Sequence, residues 1–219
     1  LGLAVLSGAL CGVLVSGVAP LVETVFSYTT AVKLLELANR EQSLLRDLEL
    51  RAPGTYHHSM MVGHLAEKAA EEIGANALLA KVAGYYHDIG KMRRPQFFVE
   101  NMSVTQGENR HEKLSPSMSA RIIQAHVKDG VEMAEKHNLA LPILQGIAEH
   151  HGPSVIRFFY EKAKEMADPE KGDLIAEHDY RYPGPKPQSK ETALLMLADG
   201  CEAPVRASRP ATPEEMNEI

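Results

Sequence analysis

Apolar residues are unevenly spaced along this chain, and the spacing changes after the first segment. From Leu1 to Val22, LGLAVLSGALCGVLVSGVAPLV contains no charged residue. Coiled at ~1.5 Å per residue, such a run matches a bilayer's ~30 Å hydrocarbon core. It predicts a membrane-crossing helix over 1–26, and Gly2, Gly8, Gly12, Gly17, Ser7 and Ser16 suit packing against other membrane helices. No basic stretch precedes it, as a signal peptide would require. The opening on Leu and the ending PEEMNEI read as a piece of something longer.

Beyond that run the spacing is helical. Leu34, Leu35, Leu37 and Ala38 form one face, Leu44, Leu45 and Leu48 begin another, and Pro53-Gly54 resets the chain. These residues predict a helical connector over 27–52. In the remainder, 53–219, apolar stripes recur at Val62, Leu65, Ala66 and Ala69, at Leu79, Val82, Ala83 and Tyr86, at Ile122, Ile123 and Val127, and at Leu195 and Met196. LPILQGIAEHHGP reads as a helix closed by Gly152-Pro153, and RYPGPKPQSKE as an ordered loop before a last helix. The period stays near 3.6 throughout, which predicts an all-α fold.

Composition agrees with helix over sheet: 44% of the 219 residues are hydrophobic, only 5% are aromatic, and there is no Trp. The net charge of -6 excludes an extended DNA or RNA polymer surface, while leaving room for a small phosphorylated ligand held through metal ions. Cys11 and Cys201 are far apart and read neither as a disulfide nor as a metal pair, which fits a reducing compartment.

The ten histidines carry the chemistry. His58 lies on the stripe of Val62 and Ala66, and His87 continues the stripe of Ala83 with Asp88 directly after it. His126 shares a face with Ile122, Ile123 and Val127, His150 and His151 close a helix, and Asp199 falls where a core would prefer carbon. His57 and His64 read as surface or outer-sphere positions; His137 shares the face of His126 roughly, but at helical rise it is ~16 Å along, too far to share a metal. Ligands from facing helices are how helical metal sites are built. Seven N and O donors suggest two ions rather than one.

The order H…HD…H…HH…D, with HDIGK intact, resembles the HD-domain superfamily of metal-dependent phosphohydrolases in its dinuclear form. APGTYHHSMMVGHLAE, YYHDIGKMRRPQFFVEN, SARIIQAHVKDGVEMA, HHGPSVIRFFYEKA and YRYPGPKPQSKETALLMLADGCEA are similar to the cytoplasmic domain of the seven-transmembrane-receptor HD proteins, the PgpH-type cyclic-di-AMP phosphodiesterases. The resemblance runs from about Tyr28 onward and makes 53–219 the HD domain. It implies a helical bundle behind the last helix of a multi-pass cell-membrane protein, with this domain cytoplasmic. The implied metal ligands are His58, His87, Asp88, His126, His150, His151 and Asp199, the same set that the helical faces select.

The function so implied is hydrolysis of cyclic-di-AMP to linear 5′-pApA by a hydroxide activated between two divalent ions, Mn or Fe, with Asp88 bridging. Lys91 is expected to meet a phosphate oxygen, so Asp88 and Lys91 are the catalytic candidates. For the second phosphate the candidates are Arg93, Arg94, Lys128 and Arg206; homodimerisation is left open. HHGPS lacks the Gly-Tyr-Pro signature of enzymes acting on cyclic-di-GMP. The rival readings are such an enzyme, a one-metal nucleotidase that leaves His126, His150 and His151 unexplained, and a non-catalytic membrane-linked nucleotide sensor.

Overall fold

A computed structural model of the chain describes residues 1–26, 29–105, 109–167 and 174–208, with side chains for all of these except 19–26, 103–105, 203, 206 and 207. Helices α1 (Gly2–Phe26), α2 (Ala31–Leu37), α3 (Ser43–Arg51), α4 (Pro53–Glu72) and α5 (Ala77–Tyr86) come first. Helices α6 (Pro116–Lys136), α7 (Leu141–Glu149), α8 (Arg157–Met166) and α9 (Lys190–Ser208) follow a run of short 3-10 turns that begins with Ile89–Arg93. Among the described residues no strand forms, and Val155 and Arg181 make one isolated antiparallel bridge. The all-α expectation holds.

Local sequence sets several helix starts. The side chains of Thr30, Asn76 and Ser115 accept the backbone N–H groups of Lys33, Leu79 and Met118, capping α2, α5 and α6; each cap is worth ~1 kcal/mol. Pro53 and Pro116 open α4 and α6, where a missing N–H costs nothing. Pro53-Gly54 is therefore the first turn of a helix rather than a loop.

Helices α4, α5, α7 and α9 close on one core that includes Val62, Ala66, Ala83, Ile143, Ile147 and Leu195. Leu34, Leu37, Leu44, Leu45 and Leu48 bury against the same core, so the connector helices α2 and α3 are packed onto it; the Tyr86 hydroxyl donates to the Leu37 carbonyl at 2.9 Å. Two positions read as inward from spacing face out: Leu35 is 61% and Leu65 43% exposed. On α4 the buried line is Val62, Ala66 and Ala70, so the stripe is narrower than the sequence suggests and Leu65 falls off its edge. A smaller cluster joins Ala120 of α6, Phe159 and Ala163 of α8, and Tyr180.

Two close approaches set the geometry near the histidines. A side chain at Gly84 would put its Cβ 2.4 Å from the Cα of Gly63, so α4 and α5 cross at van der Waals contact between glycines. A Cβ at Gly90 would meet the His126 carbonyl oxygen at 1.9 Å and the Gly130 nitrogen at 2.5 Å, so the turn after Asp88 lies backbone to backbone on α6.

The expected membrane-crossing helix is not met among the described residues: none of their helices is long and apolar enough to cross a membrane. The 1–26 segment does coil as α1. Its described side chains are exposed.

Candidate metal centre

Five elements converge on Asp88. His58 comes from α4, His87 caps the C-terminus of α5 with Asp88 next to it, His126 comes from α6, His150 and His151 follow the last turn of α7, and Asp199 comes from α9. Gly152, at φ 52°, donates its N–H to the Glu149 carbonyl at 2.8 Å and so turns the chain just after His151. His87 and Asp88 are 0% and 1% exposed.

The donors fall into two groups. Ligating atoms of His58, His87 and Asp88 lie within 4.8 Å of one another, and so do those of His126, His150 and His151. Asp88 stands between the groups. Its Oδ2 is 3.5 Å from His58 Nε2 and 3.2 Å from His87 Nε2, while its Oδ1 is 3.3 Å from His126 Nε2 and 3.7 Å from His150 Nε2. Asp199 reaches both sides, with Oδ1 3.0 Å from His58 Nε2 and Oδ2 3.6 Å from His151 Nδ1.

Hydrogen bonds at the far ring nitrogens fix the tautomers. His87, His126 and His150 each donate from Nδ1 to a main-chain carbonyl three residues back, those of Gly84, Ile123 and Ile147, at 2.6 to 2.8 Å. In the neutral ring Nε2 is thereby the nitrogen that keeps its lone pair for a ligand. Nε2 of His126 and Nε2 of His150 face each other at 3.3 Å, acceptor against acceptor. His87 Nε2 and Asp88 Oδ1 are buried and lack any hydrogen-bond partner among the described residues. Buried acceptors pointed at one another are costly unless a cation lies among them, so the donor set fits divalent ions.

The electrostatics of the two groups have opposite sign. Burial works against charge on His58 and His87, yet carboxylates outweigh it: Asp199 and Glu202 hold His58 above the usual histidine value, and Asp88 and Asp199 push His87 up to about 10. Burial likewise opposes charge on Asp88 and Asp199. Lys91 and His87 still hold the first well below the usual carboxylate range, and His58 and His87 the second. On the other side burial prevails. It pushes His150 down to about 3, helped by His87, and takes His151 well below its usual value, helped by His150; His126 is lowered despite Asp88.

Lys91 stands at the edge of the cluster. Its Nζ donates to Asp88 Oδ2 at 2.7 Å and to Glu100 Oε1 at 2.9 Å, over the Phe98 ring. Glu100 also accepts from the Thr55 hydroxyl at 3.0 Å. Arg93 and Arg94 are committed to Asp129, Lys128 is exposed, and the Arg206 side chain lies outside the described residues. His57 and His64 are exposed, and so is His137, although its spacing puts it roughly on the face of His126.

Three residues escape the sequence reading. Glu202 Oε2 lies 2.6 Å from His58 Nδ1; it sits three residues after Asp199 on the same face of α9, a spacing that helical periodicity flags. Glu100 lies among 3-10 turns that give no periodic signal. Tyr182 stacks on His151 with ring centroids 4.0 Å apart. Its loop is held by bonds remote in sequence, Tyr182 N–H to the Ser154 carbonyl at 2.9 Å and Gln188 N–H to Glu149 Oε2 at 2.8 Å.

A helical bundle with His and His-Asp donors at its centre defines an HD-domain protein. The HD domain family matches residues 55–203, and the chain belongs to it. The chain is 46% identical over 216 residues to cyclic-di-AMP phosphodiesterase PgpH of Bacillus subtilis (strain 168), and 47% identical over 219 residues to the protein of the same name from Listeria monocytogenes. These alignments take in 98% and 100% of this chain but 29% and 30% of the relatives, so it spans about 30% of their length. Among solved structures, it is similar to the HD domain of the L. monocytogenes phosphodiesterase PgpH in complex with cyclic-di-AMP, with 47% identity and a TM-score of 0.75 over 82% of this chain and 81% of that one.

Proposed function

We propose that this domain is a metal-dependent phosphodiesterase that opens cyclic-di-AMP to linear 5′-pApA. The observation that carries the reading is the shared carboxylate: Asp88 turns one oxygen to each of two donor groups, and its Oδ1 and His87 Nε2 are buried with no hydrogen-bond partner among the described residues. His58, His87, Asp88, His126, His150, His151 and Asp199 would hold two divalent ions, for which nitrogen and oxygen donors suit Mn or Fe. Such ions, when bound, supply Lewis acidity toward phosphoryl oxygen and lower the pKa of water.

The chain's own residues do the rest. Lys91, fixed between Asp88 and Glu100, keeps Asp88 ionised and holds a positive charge at the edge of the cluster, where charge grows on phosphate oxygen. Arg206 of α9 is proposed as a second contact to the dinucleotide. The cyclic-di-AMP complex of the L. monocytogenes HD domain supports the adenine substrate over cyclic-di-GMP.

A multi-pass membrane setting with this domain in the cytoplasm is part of the proposal. It is supported by the charge-free run Leu1–Val22, around whose Gly2, Gly8, Gly12 and Gly17 the structure leaves open space. Liposome flotation of the chain with and without residues 1–26 tests that part.

Incubation with Mn²⁺ and either cyclic-di-AMP or cyclic-di-GMP, followed by chromatography with and without a chelator, tests the chemistry. Chelator-sensitive conversion of cyclic-di-AMP to the linear dinucleotide is expected. Metal binding without turnover of either dinucleotide would move the reading to a ligand sensor.

A further inference from the structure

We propose that Glu202 is a positioning residue that selects the metal-binding tautomer of His58, and thereby sets whether the His58–His87–Asp88 half of the centre fills. The proposal rests on the two-metal reading above.

The buried histidines differ in what receives their Nδ1 proton. For His87, His126 and His150 it is a carbonyl of the preceding helical turn, an acceptor that any sequence supplies once the helix forms. His58 has no such bond. Its Nδ1 lies 2.6 Å from Glu202 Oε2, on a different helix, and the pair is sheltered, with side chains 3% and 11% exposed.

The need for Glu202 follows from what stands at the other ring nitrogen. Asp199 Oδ1 is 3.0 Å from His58 Nε2 and Asp88 Oδ2 is 3.5 Å away. Two carboxylates there invite the proton to Nε2, which would occupy the lone pair that an ion needs. A third carboxylate at Nδ1 competes for that proton at shorter range and leaves Nε2 bare. Asp199 and Glu202 sit one helical turn apart on α9, so a single helix grips both edges of the ring. A carboxylate acceptor also makes the imidazole a stronger donor than a carbonyl does.

The test is metal content per chain after dialysis against limiting Mn²⁺, for wild type, Glu202→Ala and Glu202→Gln. Wild type is expected to hold about two ions. Glu202→Ala should retain about one, with affinity for the lost ion down ~10- to 100-fold. Glu202→Gln, whose amide oxygen still accepts the Nδ1 proton, should stay within a few-fold of wild type. Equal occupancy in wild type and Glu202→Ala overturns the proposal, as does a Gln variant as depleted as the Ala variant. Should the Ala variant fail to fold, the Gln variant decides: about two ions supports the assignment, about one overturns it. A wild-type chain that binds no ion brings down the underlying metal reading instead.

Discussion

The two sides of the centre are built from different materials. Around His58 and His87 stand Asp88, Asp199 and Glu202, so that side is rich in negative charge and raises the affinity of its histidines for protons. Around His126, His150 and His151 the close neighbours are mostly other imidazoles, with Tyr182 stacked on one of them and one oxygen each of Asp88 and Asp199 facing in. That side repels protons. In the metal-free chain a proton can stand in for a cation on the first side and not on the second. The first side therefore trades protons for metal, whereas the second offers lone pairs at any ordinary pH.

The sharpest way to break this contrast is to remove the residue both sides share. Asp88→Ala should lower turnover of cyclic-di-AMP by about 10³-fold or more and cut metal content on both sides, read by product chromatography and metal analysis. Retention of two ions with near-normal turnover would remove the bridging role. Next, Lys91→Met should lower kcat by ~10²-fold with metal content kept, because Lys91 acts through charge rather than ligation. A parallel loss of metal would instead make Lys91 part of the scaffold.

Melting the chelated chain across a range of pH sharpens the contrast further. His87, raised to about 10, contributes stability that is present below the unfolded value of ~6.5 and lost as pH climbs toward 10. His150, lowered to about 3, acts in the opposite sense: the unfolded chain takes up a proton below ~6.5 that the fold refuses, so stability falls as pH drops toward 3. The melting temperature should peak near neutrality and fall on both sides, and added Mn²⁺ should flatten the alkaline limb. A monotonic profile would contradict the split. The smallest effect belongs to His137→Ala, at an exposed ring that only closes its own helix end: a melting shift within ~2 °C and unchanged turnover.

The seven expected donors could be found in the sequence because each sits on or beside an apolar stripe, where burial makes a polar residue conspicuous. The all-α fold was legible for the same reason. What periodicity could not supply was coverage. Leu35 and Leu65 have the right angle on their helices, yet both stay exposed among the described residues. Nor could it supply partners placed by the tertiary fold. Tyr182 reaches His151 only because a loop is tied to Ser154 and Glu149, and Glu100 reaches Lys91 from turns with no period. Glu202 is the instructive omission, for its spacing from Asp199 was available while its partner, His58 Nδ1, lies 144 residues away in sequence.

The glycine of HDIGK acts as a gauge block. With main chain resting on main chain between Gly90 and the His126 turn, the gap between the two donor groups has a machined width that no choice of side chain at that point can trim. Any retuning of the centre for an ion of another radius must therefore come from elsewhere, such as α9, where a Cβ at Gly200 would meet nothing within 4 Å among the described residues.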